Sequence, residues 1–230
     1  MTGERGINLE YGVTGPKEGL TGRKRLSEVF SDPEMLQRLI PENFVDFASG
    51  EVVIIPTEEW IVRRLDDQWP AALGVLIVEV GGLDGEGDQE ENEKDWGEFL
   101  NMRRNSAIRK GLISDKDKVL VSLIADDYWD ANGVFVDRIA LSSDLRGRGA
   151  GRSFYQNFSN VLGDLGYDFV SCYNSKGVIG FFRRMGHYRV DELSDDFTEY
   201  SKTGHIVNTV KFLNGALERK CVKPEFLKPE

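Results

Sequence analysis

The sequence has few cysteines and no long apolar run. Only Cys172 and Cys221 occur among its 230 residues, so they cannot form a disulfide framework, and their scarcity predicts a reducing, cytoplasmic environment. The longest apolar stretch, 71–80, has the length of a strand and falls well short of the roughly 20 residues that cross a bilayer. The first residues also lack the apolar core of a secretory signal. We therefore expect neither a membrane protein nor a secreted one.

Acidic residues outnumber basic residues, 39 to 29. The formal net charge is −10, and no basic face is visible that would contact phosphates along a nucleic acid, so we expect no nucleic-acid partner. Residues 84–98 contain eight acids and one lysine, which leaves a net charge of only −3 for the rest of the chain. This acidic loop is either a solvated insertion or an electrostatic lip that attracts a cationic substrate. No metal-ligand spacing surrounds the cysteines, and we predict no metal site.

The order of the predicted elements indicates a single α/β core of the α+β type. Strands are predicted at 51–56, 71–80, 118–125, 134–141, 168–173, 187–190 and 205–213, and helices at 33–39, 57–65, 96–110, 149–165 and 177–185. This order favours a mixed, mostly antiparallel central sheet flanked by helices. We expect an N-terminal extension or helical layer over 1–48, the main domain over 49–215 and a C-terminal tail over 216–230.

The most informative segment is the turn that follows the strand 134–141. Glycines at 147, 149 and 151 allow unusual backbone angles, and several backbone N–H groups can then point into one concavity at the start of the next helix. Arg146, Arg148 and Arg152 add positive charge there. The spacing matches neither the dinucleotide fingerprint nor the Walker loop. The turn therefore predicts a site for a pyrophosphate, with a tight strand-to-helix connection as the alternative.

Two segments in order resemble a known family. The block 139–154 is similar to motif A of the Gcn5-related N-acetyltransferases, whose signature [RQ]-x-x-G-x-[GA] is matched by residues 146–151 after the strand residues Ile139, Ala140 and Leu141. The block 174–190 resembles the family's motif B, with an asparagine at a strand end, an aromatic pair on a helix, and then glycine and an aromatic position. The resemblance covers 118–190 well and 205–213 plausibly, whereas 1–117 match only in element order.

The resemblance implies a binding site for acetyl-CoA, used as a co-substrate. In such enzymes the strand before the turn splays from its neighbour, and backbone groups near Ile139 and Leu141 pair with the pantetheine arm. Loop amides would hold the pyrophosphate, and Asn174 with Phe181 or Phe182 would line the pantetheine and the thioester. The implied cofactor-binding residues are Ile139, Ala140, Leu141, Arg146, Gly147, Arg148, Gly149, Ala150, Gly151, Arg152, Asn174, Phe181 and Phe182.

Direct acetyl transfer also needs a base and a proton donor. Strand alternation puts Phe135, Asp137, Ile139 and Leu141 on one side, which makes Asp137 our candidate base, with an ion pair or solvent exposure as the alternative. The family often has a donor tyrosine four residues before the motif B glycine, where this chain has Phe182. The substitute donors are Tyr155 and Tyr173, each of which could instead be a packing residue.

We therefore expect an N-acetyltransferase that transfers an acetyl group from acetyl-CoA to a primary amine on a small molecule or peptide, within a ternary complex. A non-catalytic acyl-CoA-binding regulatory module on the same fold is the alternative that Phe182 favours. Transfer to a protein lysine or N-terminus, with 1–48 or the acidic loop as the docking surface, is a third hypothesis. The sequence does not identify the acceptor and leaves the oligomeric state open, with a homodimer among the candidates.

Overall fold

The computed structural model describes residues 26, 31–44, 48–59, 72–83, 97–127, 133–175, 178–189 and 206–213. The predictions for 1–25, for residues 84–96 of the acidic loop and for the tail 216–230 lie outside these residues. Residue Glu98, the last of the acidic loop, begins a helix. In the described part, no helix is long and apolar enough to cross a membrane.

The elements follow the predicted order closely. The helices are α1 (Pro33–Gln37), α2 (Glu98–Arg109), α3 (Ala150–Asp164) and α4 (Ile179–Arg184). The strands are β1 (Val52–Glu59), β2 (Ala72–Glu79), β3 (Lys118–Asp127), β4 (Gly133–Leu141), β5 (Phe169–Ser175), β6 (Tyr188–Arg189) and β7 (Ile206–Phe212). Asp32 caps α1, since its side chain accepts a hydrogen bond from the Glu34 N–H.

The strands form one seven-stranded sheet in the order β1-β2-β3-β4-β5-β7-β6. Every neighbouring pair is antiparallel except β4 and β5, which run parallel. The strands β3 and β4, which are consecutive in the chain, pair antiparallel. The mixed, mostly antiparallel sheet predicted from the sequence is therefore confirmed.

Helices cover both faces of this sheet. One face packs against α3, α4 and the N-terminal layer, as shown by a single buried cluster that includes Leu39, Val121, Phe158 and Phe182. The other face packs against α2, with Leu100 and Ala107 set against Leu76 and Val119. Because Leu36 and Phe44 also belong to the first cluster, the described part of the N-terminal layer shares the main core. Its status as a separate unit stays a prediction.

The predicted helix at 57–65 is wrong at its start. Strand β1 runs through Pro56 to Glu59, and Pro56 lies opposite Val75 of β2. Proline is tolerated there because β1 is the edge strand, whose outer side needs no ladder hydrogen bond. Thr57 does not cap a helix; its hydroxyl accepts a 2.8 Å hydrogen bond from the buried Arg103 guanidinium.

A β-bulge in β4 overturns the alternation that we expected on that strand. Ile124 of β3 pairs with Arg138, but the next residue pairs with Val136, so Asp137 is the extra residue. The core confirms the resulting change of phase, because Val134, Val136, Ile139 and Leu141 all pack in the α3-side cluster. Phe135 therefore does not share a face with Ile139 and Leu141, as strict alternation had predicted.

Candidate cofactor and acyl-transfer site

The site is built where β4 and β5 separate. The two strands pair only from Gly133 opposite Phe169 to Val136 opposite Cys172. Beyond that point, Asp137 is the bulge residue, and residues 138–141 of β4 pair with β3 alone among the described strands. The segment 137–141 is called the open edge below. Extended backbone with an unpaired side can bind an amide-containing chain in the manner of an added strand.

The open edge leads directly into the predicted phosphate turn, residues 146–152, called the glycine turn below. Gly147 and Gly149 have φ angles of 73° and 82°, in the left-handed region. A Cβ at either position would meet nothing within 4 Å, so both glycines border open space. Their conformation orients successive N–H groups into a concavity that suits an anion.

Helix α3 begins at this concavity without a side-chain cap. Gly149 is its N-cap residue and has no side chain that could bond to the N–H groups of the first turn. Those groups and the positive end of the helix dipole are therefore available to a ligand. Gly151 has a different role, since a Cβ there would lie 3.1 Å from Leu141 Cδ2 and 3.8 Å from Phe181 Cε2. Its absence lets the start of α3 approach β4 and α4 closely.

Two polar contacts hold the glycine turn against the sheet. The Arg146 guanidinium donates hydrogen bonds of 3.1 and 3.3 Å to the Leu141 carbonyl, while the residue itself stays exposed. Before the turn, the Lys118 ammonium donates a 2.7 Å hydrogen bond to Asp144 and so ties the turn to the start of β3. The concavity is therefore preorganised. Backbone N–H groups and arginines at a helix start are an arrangement that suits an anion.

The predicted aromatic pair of α4 lies behind the turn. Phe182 is buried and Phe181 half-buried, with ring centroids 5.1 Å apart. Both rings pack edge-on against Tyr155 of α3, at 6.3 Å for Phe181 and 5.5 Å for Phe182. Asn174 and Tyr173 lie in β5, beyond the point where it leaves β4, but their side chains are outside the described part of the structure.

Of the candidate catalytic residues, Asp137 lies at the first position of the open edge. Its side chain is 26% exposed, and its Oδ2 lies 3.8 Å from Arg138 Nε. Tyr155 is fully buried instead, and its hydroxyl shares a 2.6 Å hydrogen bond with His187 Nε2. The structure thus separates two predicted residues. Asp137 borders the opening between the strands, whereas the Tyr155 hydroxyl belongs to an internal network.

That network, the buried polar cluster, was missed from the sequence. It consists of Tyr155, Cys172, His187 and Thr209, all of which are buried. His187 Nδ1 lies 3.1 Å from Thr209 Oγ1, which in turn lies 3.3 Å from Cys172 Sγ. The cluster connects α3, β5, β7 and the segment before β6, which are far apart in the chain. No local sequence pattern predicts that these four side chains lie in contact.

Burial determines the protonation states in the cluster. It lowers the pKa of His187 to about 3, with a further contribution from the positive charge of Lys211. It also raises the pKa of the Tyr155 hydroxyl well above its usual value. Both side chains are therefore neutral near pH 7, and a neutral imidazole can form one hydrogen bond as donor and one as acceptor. In the described residues, no group of three or more His, Cys, Asp or Glu side chains could hold a metal ion.

No family model matches this sequence, and no curated protein matches it. Among solved structures, Gcn5 from Tetrahymena is 14% identical, with 60% of this chain and 96% of that chain covered and a TM-score of 0.38. The ribosomal-protein-S18-alanine N-acetyltransferase from Escherichia coli is 10% identical, with coverages of 86% and 96% and a TM-score of 0.36. Naa20 from Chaetomium thermophilum is 11% identical, with coverages of 49% and 69% and a TM-score of 0.37.

The features of the chain itself carry the assignment of the fold. The parallel strands β4 and β5 separate after four residue pairs. Both sequence motifs lie at this opening. Motif A runs from β4 into α3, and motif B surrounds α4. By its strand order, this opening and the glycine turn, the chain has the fold of the Gcn5-related N-acetyltransferase family.

Proposed function

We propose that this protein is an N-acetyltransferase that transfers the acetyl group of acetyl-CoA to a primary amine by direct attack in a ternary complex. The observation that carries the proposal is the continuity of the open edge 137–141 with the uncapped, glycine-lined start of α3. One element offers unpaired backbone for an amide-containing arm. The other offers N–H groups and positive charge for a pyrophosphate.

Backbone groups of Ile139, which point away from β3, would pair with the pantetheine arm, and amides of the glycine turn would hold the phosphates. The Leu141 carbonyl already accepts hydrogen bonds from Arg146, so we expect the Leu141 N–H rather than its carbonyl to face this ligand. Phe181 would supply apolar contact, since Phe182 lies deeper in the core. When bound, the thioester supplies an electrophilic carbonyl carbon.

Asp137 would act as the general base. Its carboxylate would accept the proton of the acceptor ammonium, so that the nitrogen lone pair is free to form the new C–N bond as the C–S bond breaks. The departing thiolate then needs a proton, for which Tyr173 and Tyr155 stay the candidates, together with water. The burial of the Tyr155 hydroxyl against His187 favours a structural role for that residue.

The first test is calorimetry with CoA, followed by thiol release from acetyl-CoA across a panel of amines. Saturable CoA binding is required, and its absence would refute the proposal. In Asp137→Asn, we expect kcat to fall by about 10²- to 10⁴-fold. Asp115→Asn, in the exposed turn after α2, is the matched control and should leave the rate unchanged.

A non-catalytic acyl-CoA-binding module is the second candidate. It is favoured by Phe182, a buried aromatic without a dissociable proton at the family's usual donor position. The two candidates differ in thiol release. Tight CoA binding with no release for any amine would support the regulatory module, whereas release with one acceptor class would support the enzyme.

A further inference from the structure

Arg138 lies beside the proposed catalytic residue and on the opposite side of the sheet from α3. After the bulge, Ile139 and Leu141 face the α3-side core, and Ala140 packs in the cluster on the α2 side. Alternation places Arg138 on the α2 side with Ala140. Its guanidinium confirms this placement, because it lies 5.2 Å from the centroid of the Phe99 ring in α2.

The proposed cofactor and the acceptor would therefore approach the open edge from opposite faces of the sheet. The glycine turn and α3 lie on one face, where the proposed cofactor binds. An acceptor must approach the same edge without crossing that ligand, which leaves the α2 face. Arg138 is the one cationic residue among residues 137–141 of β4, and its side chain is 60% exposed.

Arg138 also forms an ion pair with Asp137, the residue that precedes it. Asp137 Oδ2 and Arg138 Nε are 3.8 Å apart, and both side chains are partly open to solvent. An exposed pair of this kind contributes only about 0–1 kcal/mol, so a ligand can reorganise it at little cost. A zwitterion that carries an ammonium and a carboxylate on one carbon has the complementary arrangement of charge.

We propose that Arg138 binds the carboxylate of the acceptor and that the acceptor is a free α-amino acid. The inference rests on the proposed function, since it assigns the substrate class of that same site. Arginine suits the role because its planar fork can donate two parallel hydrogen bonds to a carboxylate. The Phe99 ring supports the guanidinium from α2 and limits its orientations.

Helix α2 adds a preference for an apolar side chain. Met102 lies one turn after Phe99, on the same side of the helix, and is 52% exposed. A thioether of this kind adapts to apolar groups of varied shape. By contrast, a polyamine would bring a second ammonium towards the Arg138 guanidinium, which is electrostatically unfavourable.

The test compares L-leucine with L-leucinamide, which keeps the amine and the side chain but lacks the carboxylate. Calorimetry on the CoA-saturated protein should show leucine binding about 10-fold or more tightly than leucinamide. In Arg138→Gln this preference should disappear, while the affinity for CoA stays unchanged. Arg138→Lys, which keeps the charge without the fork, should restore part of it. Arg109→Gln, at the exposed end of α2, is the control and should behave as the wild type.

Three results would overturn the inference: leucinamide or putrescine binding as tightly as leucine, the Arg138→Gln variant keeping the preference, or no binding of any of these compounds. A failure of CoA binding would instead refute the proposed function, and titration of leucine into the CoA-free protein would still test Arg138. If leucine binds through Arg138 but no thiol is released, the subsite is supported and the regulatory module replaces the enzyme.

Discussion

The glycine turn and the buried polar cluster both use residues of α3, yet they differ in almost every physical respect. The turn is exposed, lies at the helix N-terminus and presents backbone N–H groups to open space. The cluster lies less than two turns further along the helix, where Tyr155 is fully buried and bonded to His187. Exposed donors at the start of a helix suit a ligand, whereas buried polar groups bonded to one another position the elements that carry them.

The cluster explains how the elements of the proposed site keep their positions. Tyr155 belongs to α3, His187 follows α4, and Thr209 belongs to β7, next to β5. Removing one member would leave a buried partner unsatisfied, which costs more than the hydrogen bond contributes when it is intact. We therefore expect changes in the turn to alter ligand binding and changes in the cluster to alter stability.

The largest effect should come from Gly149→Trp. The side chain would fill the open space over the turn and remove N–H contacts, so we expect the dissociation constant for CoA to rise about 100-fold, as for two lost charge-assisted hydrogen bonds. Gly166 lies at the other end of α3. Its φ angle is 83°, close to the 82° of Gly149, and a Cβ at either glycine would meet nothing within 4 Å.

Gly166→Trp is therefore a matched control for backbone strain. Both variants should lose a similar free energy of unfolding, about 1–2 kcal/mol for a non-glycine residue in the left-handed region. Only Gly149→Trp should weaken CoA binding, as measured by calorimetry. Equal affinities in the two variants would remove the turn from the proposed site.

The second prediction concerns Tyr155→Phe. The substitution leaves His187 Nε2 without its 2.6 Å partner, so the free energy of unfolding should fall by about 1–3 kcal/mol in urea titrations. The affinity for CoA should not change. Tyr188→Phe, at a half-buried ring that packs on Phe212, is the control and should cost less than about 0.5 kcal/mol. If the turnover rate instead drops by about two orders of magnitude while stability stays intact, Tyr155 is the proton donor.

The third prediction concerns the pH dependence of stability. The pKa of His187 is lowered to about 3 in the folded state, against about 6.5 in an unfolded chain, so the unfolded state binds the proton more readily. The stabilisation is complete above pH 6.5 and is lost as the pH falls towards 3, with a slope of up to about 1.4 kcal/mol per pH unit.

His187→Asn should be less stable at pH 7 but should lose less stability between pH 6.5 and 4.5. In this pH range the response of His187 is distinct from that of Asp117 and Asp144, which are protonated only at lower pH. Burial raises the pKa values of these two carboxyl groups, but hydrogen bonds outweigh it and lower them from 3.8. Urea titrations at several pH values measure both slopes. Identical slopes in the variant and the wild type would show that His187 does not control the acid response.

The elements predicted well are those whose signals are local. The glycine spacing at 147–151 and the apolar repeat of α3 depend on consecutive residues, and β3 and β4 pair across a short connection. The errors arose where a neighbouring element overrides the local pattern. Pro56 indicates the end of a strand, but at a sheet edge its missing N–H costs no hydrogen bond and β1 continues to Glu59.

The bulge at Asp137 shows the same limit within the site. Alternation along β4 predicts which side chains share a face, but a single extra residue reverses that pattern, and the bulge exists only through the register with β3. It turns Arg138 towards α2 and Ile139 towards α3. The face on which we propose that the acceptor binds therefore could not be predicted from the strand alone.

The sequence by itself determined the type of fold and the position of the glycine turn that we propose as a phosphate site, because glycine spacing, strand character and helix starts depend on a few adjacent residues. The tertiary structure alone decided three things: the opening of β4 from β5, the face on which Arg138 lies, and the meeting of Tyr155, His187 and Thr209. Each of these depends on register and packing between segments distant in the chain, where hydrogen bonds and burial override local preference.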